Sequence, residues 1–261
     1  MAGRESAYRE RNSTADRALD ILAMFDDSMP VISGLEVASR LGVAKSTAYR
    51  YLQSLVAGHF LEEAPGGGFR LGLRILELAR VARKSYGLSE VASPVMSALA
   101  EYVHETVLLT RRVGDLVVCL DRVESQAHRV RISYERGSTL PINAGASALA
   151  LLAWDDPQEA RAVLSARPLD RFTPATVTDV DALMERLEQI RRDGYASSRA
   201  ELDPDVYGIA APIRDEGGEV VAAISVAAVA ARVTTEDEPS LIDRVRAAAD
   251  EISGGLALAS G

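Results

Sequence analysis

The sequence of 261 residues predicts an α+β protein of two domains, a short helical one followed by a larger one with an antiparallel sheet. Apolar residues recur at helical period through most of the first 85 residues, and two short strand-like runs interrupt them. Beyond them, apolar strands alternate with helical stretches. Hydrophobic residues make up 48% of the chain and charged residues 26%, which is typical of a folded globular protein.

Residues 1–12 are polar and charged, and we expect them to form a flexible tail. A first helix follows, which Ser13 can cap and which has Asp16 in its first turn. The stretch from Asp26 to Pro30 ends it. Its inner stripe consists of apolar residues at helical spacing, namely Ala18, Ile21, Leu22 and Phe25.

Residues 34–58 predict two short helices that meet at Gly42. Ser33 can cap the first, since Glu36 lies at capping-box spacing. The second runs from about Lys45 to Ala57, and Gly58 follows where a left-handed residue commonly ends a helix. The apolar side of the first helix is formed by Leu35, Val37, Ala38 and Leu41.

The second of these helices has two different sides. The inner one holds Ala48, Tyr51, Leu52, Leu55 and Val56, and the outer one holds Ser46, Thr47, Tyr49, Arg50, Gln53 and Ser54. No Asp or Glu occurs from Leu41 to Leu61. A helix–turn–helix needs such a polar, non-acidic side to enter the major groove of double-stranded DNA. The predicted DNA contacts are therefore Lys45, Ser46, Thr47, Tyr49, Arg50 and Gln53.

Two alternatives accompany this prediction. Helix pairs joined at a glycine also occur in small bundles, where a polar outer side is simply solvated. Conversely, the arginines of residues 1–12 could form a basic arm on the DNA, although Glu5 and Glu10 interrupt them.

A hairpin is predicted after the second helix, with strands at Phe60–Glu63 and Gly68–Leu71 around the turn residues 64–67. A hairpin at this place is a wing, and it would bring Arg70 near the DNA backbone. An ordinary hairpin is the alternative. Residues 13–71 then form a winged helix–turn–helix domain.

Residues 72–87 predict a linker helix that is unusually apolar. The helix has more apolar residues than the small first domain can cover. This suggests that it packs against a second copy of the chain, and burial between two domains of one chain is the alternative. The domain boundary is expected at Ser85–Gly87. The apolar residues are Leu73, Ile75, Leu76, Leu78, Ala79, Val81 and Ala82.

Residues 88–261 predict the second domain. Its expected elements are a helix at 89–104, two strands around Gly114, a strand at 128–134, helices at 145–154, 156–166 and 179–193, a loop or edge strand at 193–204, a hairpin around 216–218 and a helix at 241–258.

Charge is divided unevenly along the chain, whose net charge is −9. Residues 1–85 hold 12 basic and 10 acidic side chains, whereas the remainder holds 17 basic and 28 acidic ones. An acidic remainder would discourage nonspecific coating of DNA. So small a positive balance is also consistent with chance unevenness.

Several classes of protein are not supported by the sequence. It has no apolar run of transmembrane length and no signal peptide, so we expect a soluble cytoplasmic protein without membrane contact. Cys119 is the one cysteine, which excludes an internal disulfide and a Cys-rich zinc site, and we expect a buried thiol. The three histidines, His59, His104 and His128, are not spaced as metal ligands.

A search for enzyme motifs finds no P-loop, HExxH or dinucleotide fingerprint, and Ser147 lacks the second glycine of a nucleophile elbow. We therefore expect no catalysis, no cofactor and no metal. The alternatives are a hydrolase or other enzyme with an accessory helix–turn–helix, or a structural adaptor.

Nearly the whole chain resembles the IclR family of bacterial transcription regulators. The residues that carry the resemblance are RALDILAMF (17–25), LEVASRLGVAKSTAYRYLQSLVAGHFLE (35–62), the linker helix, LPINAGASALALLA (140–153), DGYASSRAEL (193–202) and GIAAPIRDEGGEVVAAISVAA (208–228). The chain departs at Ala148-Leu149, where the family usually has Gly-Lys, and at Asp205, where a glycine often stands.

The resemblance implies a GAF/PAS-like effector-binding domain behind the winged helix–turn–helix. It also implies a homodimer or dimer of dimers that in most cases represses a catabolic operon, although activators exist. Small carboxylates in relatives are held at the positions that correspond to Ala146, Ser147, Ser198, Gly208, Ser225 and Ala227.

Three of these positions have lost a polar group by comparison with those relatives: Ser198 replaces an acid, Gly208 a thiol and Ala227 a hydroxyl. Leu109, Cys119, Ile209 and Ile224 would extend an apolar lining, and Arg111 or Arg131 could hold a carboxylate. The ligand is therefore predicted to be larger than a short keto acid, such as an aromatic or alicyclic carboxylate. An empty apolar core is the alternative.

Overall fold

The computed structural model describes the backbone of residues 13–26, 28–85, 87–125, 127, 132 and 134–260. The chain divides into two compact units, residues 1–85 and 86–261. The predicted tail and most of the strand predicted at 128–134 lie outside the described residues.

The described part of the first unit has the order helix, helix, turn, helix, hairpin, helix. Its elements are α1 (Ser13–Leu22), α2 (Gly34–Leu41), α3 (Lys45–Ala57), β1 (Leu61–Glu63), β2 (Phe69–Leu71) and α4 (Leu73–Ser85). This is the predicted winged helix–turn–helix with its following helix.

Caps fix the ends of α2 as predicted. The Ser33 hydroxyl accepts a hydrogen bond from the Glu36 backbone N–H at 3.2 Å, and Gly42 is left-handed with φ 64°. One part of the prediction is wrong: Leu35 is 63% exposed and does not belong to the apolar side. The buried residues of α2 are Gly34, Val37, Ala38 and Leu41.

α3 ends at Ala57 as predicted, but the left-handed residue after it is one position later than expected. Gly58 has φ −84°, and His59 takes the left-handed conformation with φ 60°. The N–H of Phe60 bonds the carbonyl of Leu55, and the N–H of His59 bonds that of Val56, both at 2.9 Å. These two bonds form a Schellman motif whose left-handed residue is His59. The sequence predicts the left-handed conformation at Gly58, one position earlier.

The described part of the second unit is built on one antiparallel sheet. Its elements are α5 (Leu88–Val103), β3 (Thr106–Val113), β4 (Leu116–Val123), β5 (Thr139–Leu140), α6 (Ala146–Leu152), α7 (Pro157–Ser165), α8 (Val180–Asp193), β6 (Ala196–Arg199), β7 (Val206–Arg214), β8 (Val220–Val229) and α9 (Glu238–Ser260). The strand order is β5-β4-β3-β8-β7-β6, so β6 is an edge strand.

Helices cover the sheet on both faces. One core joins α5 and α9 to one face, and a second core joins α6 and α8 to the other. The centre of β8 is consequently buried on both sides, from Ala222 to Ala228. Within the described residues, no helix combines the length and the apolar character that a membrane span requires.

Candidate functional site

The outer face of α3 is the first candidate site. Lys45, Ser46, Tyr49, Arg50 and Gln53 are exposed on it, and Thr47 is half-buried. Ala48, Leu52 and Leu55 on the opposite face are buried in the core of the first unit. The structure thus separates the two sides of α3 as the helical period predicts.

The start of α3 has no side-chain cap. Ala44 occupies the N-cap position and offers no oxygen to the first amides of the helix. Backbone N–H groups at such a helix start can bind an anion such as a phosphate.

The hairpin carries the other predicted DNA contact. Arg70 is directly opposite Glu62, and its Nε is 2.7 Å from the Glu62 carboxylate in a pair with both side chains partly exposed. Arg70 is therefore accessible, but a DNA phosphate would have to compete with Glu62 for its guanidinium group.

A cavity beside the start of α6 is the second candidate site. It encloses about 440 Å³ of empty space, including its opening to solvent. The enclosed part measures only about 40 Å³, whereas small-molecule sites commonly measure about 300–1,000 Å³, so a ring-sized ligand would have to displace lining side chains. Six predicted effector-site residues line it: Ala146, Ser147, Ser198, Gly208, Ser225 and Ala227.

Two serines give this cavity its buried polar centre. The hydroxyls of Ser147 and Ser225 are 2.8 Å apart, and the two residues are only 6% and 2% exposed. Ser147 lies on α6 and Ser225 on β8, so this hydrogen bond joins the helix to the sheet at the cavity wall.

Gly208 keeps another part of the wall open. A Cβ at this position would lie 3.3 Å from the Ala146 Cβ and 3.6 Å from the Ser198 hydroxyl. The glycine therefore leaves room where β7 passes closest to the start of α6.

The rest of the lining is mainly apolar and was not predicted from the sequence. It includes Leu108, Tyr134, Leu140, Ala144, Leu202 and Val206. Several of these residues lie in connecting segments, where no periodicity indicates which side chains face inward.

Four predicted lining residues do not line the cavity. Leu109, Ile209 and Ile224 belong to the core between the sheet and α5 and α9, on the opposite face. Cys119 is on the cavity side and packs with Leu108 behind the wall, without lining it. The prediction was wrong here because both faces of the sheet are apolar.

The thiol of Cys119 is unsuited to nucleophilic chemistry. The residue is fully buried, and this burial raises the pKa of the thiol to about 11. A protonated thiol is a weak nucleophile, so Cys119 fits the predicted structural role. Neither arginine suggested as a carboxylate ligand is placed at the cavity, because Arg111 is not among its lining residues and Arg131 lies outside the described ones.

A buried carboxylate beside the residue that precedes α6 was also missed. Glu201 is 6% exposed, is 2.7 Å from the Arg186 guanidinium on α8, and accepts a 3.4 Å hydrogen bond from the Gly145 N–H. It ties α8 to the residue before α6. Among the described residues, no group of histidine, cysteine and acidic side chains could hold a metal ion.

Comparisons with known proteins match both units. The model described as "IclR helix-turn-helix domain" matches residues 14–65, and the one described as "Bacterial transcriptional regulator IclR C-terminal" matches residues 81–254. The HTH-type transcriptional regulator BhcR of Paracoccus denitrificans is 36% identical over 93% of this chain and 86% of its own length. The repressor AllR of Escherichia coli is 30% identical over 93% and 90%.

A solved structure extends the comparison to a ligand. An IclR homologue from Microbacterium hydrocarbonoxydans, crystallised with 4-hydroxybenzoate, is 31% identical to this chain. The match covers 93% of this chain and 98% of that one, with a TM-score of 0.78.

Proposed function

The chain belongs to the IclR family of bacterial transcriptional regulators, and from this premise we propose how it works. It binds an operator through the outer face of α3 and represses transcription. It leaves the operator when a small aromatic or alicyclic carboxylate occupies the cavity beside α6. The observation that carries the ligand proposal is the cavity itself, which combines apolar walls with one buried pair of hydroxyls.

DNA binding is supported by the chemistry of α3. Its exposed serine and glutamine side chains can bond bases or phosphates, and Arg50 can bond a guanine edge or a phosphate. A phosphate could also satisfy the uncapped amides at the start of the helix. These contacts would place α3 in the major groove and the hairpin beside it.

The ligand class follows from the lining of the cavity. Apolar walls favour a ring, because a ring that covers them leaves few polar groups of the protein buried without a hydrogen-bond partner. Ser147 and Ser225 can donate hydrogen bonds to a carboxylate or a phenol oxygen. The relative that was crystallised with 4-hydroxybenzoate supports the same class.

The test is to titrate the full chain, bound to a labelled duplex that it selects from a random pool, with 4-hydroxybenzoate, cyclohexanecarboxylate and glyoxylate. We expect one of the two ring carboxylates to release the duplex and to raise the unfolding temperature by mass action. Tight binding of glyoxylate alone would contradict the proposed ligand class.

A bulky substitution provides the matched test of the cavity. Ser225→Trp should fill the cavity, so that the protein stays on DNA in the presence of the ligand. Ser93→Trp, on an exposed part of α5, is the control and should respond as the wild type does. A normal response of Ser225→Trp would show that the ligand binds elsewhere.

We also propose that the protein acts as a homodimer whose partners meet along α4. Four large apolar side chains are exposed there, namely Leu73, Leu76, Leu78 and Val81, at 68%, 64%, 41% and 49%. A patch of this kind commonly marks a protein interface. Sedimentation should show a dimer that Leu76→Glu weakens and Glu77→Gln does not. A wild-type monomer bound to DNA would contradict the proposal.

A further inference from the structure

The ring of Tyr49 is held against the start of α2, although Tyr49 lies on the exposed face of α3. A Cβ added at Gly34 would lie 2.4 Å from Tyr49 Cε2 and 2.7 Å from Tyr49 Cζ. Real Cβ atoms essentially never come so close to another heavy atom. The ring therefore covers the Gly34 backbone, in space that any other residue at position 34 would fill.

The same ring contacts the hairpin. Tyr49 and Phe69 make an edge-to-face pair with centroids 6.1 Å apart and planes inclined at 75°. Edge-to-face contact is a favoured aromatic geometry because the ring edge is positive and the ring face negative. Phe69 is almost completely buried and directly precedes Arg70 on β2. Tyr49 thus connects α3 to the strand that carries Arg70.

Three consecutive residues complete this junction. Ile32 exchanges two backbone hydrogen bonds with Phe69, both 2.9 Å long, and so adds a third chain segment to the hairpin. Ser33 caps α2, and Gly34 receives the Tyr49 ring. Hairpin, α2 and α3 therefore meet within residues 32–34.

We infer that Tyr49 is a positioning residue, whose ring sets the hairpin at a fixed place beside α3, and that Gly34 is required because it admits this ring. The inference rests on the proposed binding of DNA by α3 and the hairpin. Arg70 follows Phe69 directly, so a shift of the ring would move the hairpin arginine away from the groove that α3 enters.

The alternative role for Tyr49 is direct contact with DNA through its hydroxyl, as its exposed position suggests. The two roles depend on different atoms. Positioning needs the aromatic ring, which Tyr49→Phe keeps and Tyr49→Leu removes. Direct contact needs the hydroxyl, which both substitutions remove.

The experiment measures the affinity of the full chain for a duplex that the wild type selects from a random pool, by fluorescence anisotropy. Tyr49→Phe should keep the wild-type affinity within about twofold, and Tyr49→Leu should lose about tenfold or more. Gly34→Ala should also lose about tenfold. In a Tyr49→Ser background the same Gly34→Ala change should cost nothing further, because the ring that it displaces is absent.

Unfolding temperatures separate positioning from a general loss of structure. Alanine restricts the unfolded chain more than glycine does, and the backbone at position 34 is one that alanine can adopt. Gly34→Ala should therefore raise the unfolding temperature when Tyr49 is Ser and lower it when Tyr49 is present. Tyr49→Leu leaves Gly34 unchanged and still tests the inference if Gly34→Ala does not fold.

Two results would overturn the inference. One is an equal loss of affinity in Tyr49→Phe and Tyr49→Leu, which would assign the hydroxyl to DNA contact. The other is a Gly34→Ala protein with wild-type affinity, since the ring could then move without consequence. A wild-type chain that selects no duplex would instead refute the proposed DNA binding, and this inference with it.

Discussion

Replacing Ser225 by alanine tests the hydroxyl pair in the cavity wall. The Ser225 and Ser147 hydroxyls are 2.8 Å apart and both residues are almost completely buried. Ser225→Ala leaves the Ser147 hydroxyl buried without this partner. Leaving a buried polar group unsatisfied costs about 1–3 kcal/mol. In a domain of 150–250 residues, each kcal/mol lowers the unfolding temperature by about 2–4 °C, so the expected decrease is about 2–12 °C.

The double variant Ser147→Ala/Ser225→Ala makes this prediction specific. It buries no unpaired hydroxyl, so it should be destabilised by clearly less than the sum of the two single variants. Urea unfolding of the four proteins, followed by circular dichroism, measures the difference. Additive losses would show that the two serines do not act as a pair, and a Ser225→Ala protein as stable as the wild type would contradict the predicted cost of the unpaired hydroxyl.

The same four proteins test the role of the pair in ligand binding. Stabilisation by a ligand follows its concentration relative to its dissociation constant. If the hydroxyls hold the polar group of 4-hydroxybenzoate, the double variant should show a smaller rise in unfolding temperature at equal ligand concentration. An unchanged rise would place that polar group elsewhere.

Three other predictions follow from single side chains. Arg50→Ala should reduce affinity for the selected duplex by about 1–3 kcal/mol in a gel-shift titration, without a change in unfolding temperature. Glu62→Gln should increase that affinity and steepen its salt dependence, because it frees Arg70 from a 2.7 Å ion pair; a loss would show that Glu62 orients Arg70. Burial raises the pKa of the Cys119 thiol from 9.0 to about 11. The contribution of the protonated thiol to the free energy of unfolding is therefore complete below pH 9 and is lost as the pH rises through 11. Two pKa units correspond to about 3 kcal/mol, and a pH series of urea unfolding should show a smaller loss in Cys119→Ala than in the wild type, because Tyr134 and Tyr207, whose pKa values are also raised by burial, titrate in both proteins.

The fold of the first unit could be predicted because its signals are local. Ser33, Gly42 and the outer face of α3 each depend on residues within a few positions, and the structure has all three as expected. The left-handed residue after α3 was placed one position too early because glycine is not the only residue that takes this conformation. The backbone hydrogen bonds donated by Phe60 and His59 determine which residue is left-handed, and these bonds depend on where the chain turns toward β1.

Contacts between elements could not be predicted in the same way. The ion pair of Arg70 with Glu62 requires the hairpin register, and the docking of Tyr49 on Gly34 requires the angle between α2 and α3. Glu201 contacts Arg186 and the residue before α6, which are distant in the sequence. Apolar periodicity carries no information about such partners.

The error at Leu109 shows what does determine the cavity face. Leu108 and Leu109 are both apolar and both buried, so alternation along β3 alone cannot separate the two faces of a sheet that helices cover on both sides. The register with β8 separates them, since Leu108 is opposite Ser225 and Leu109 is opposite Ile224. Residues directly opposite each other on neighbouring strands point to the same face. A buried serine opposite Leu108 therefore indicates the cavity side, because an apolar core would have no hydrogen-bond partner for its hydroxyl.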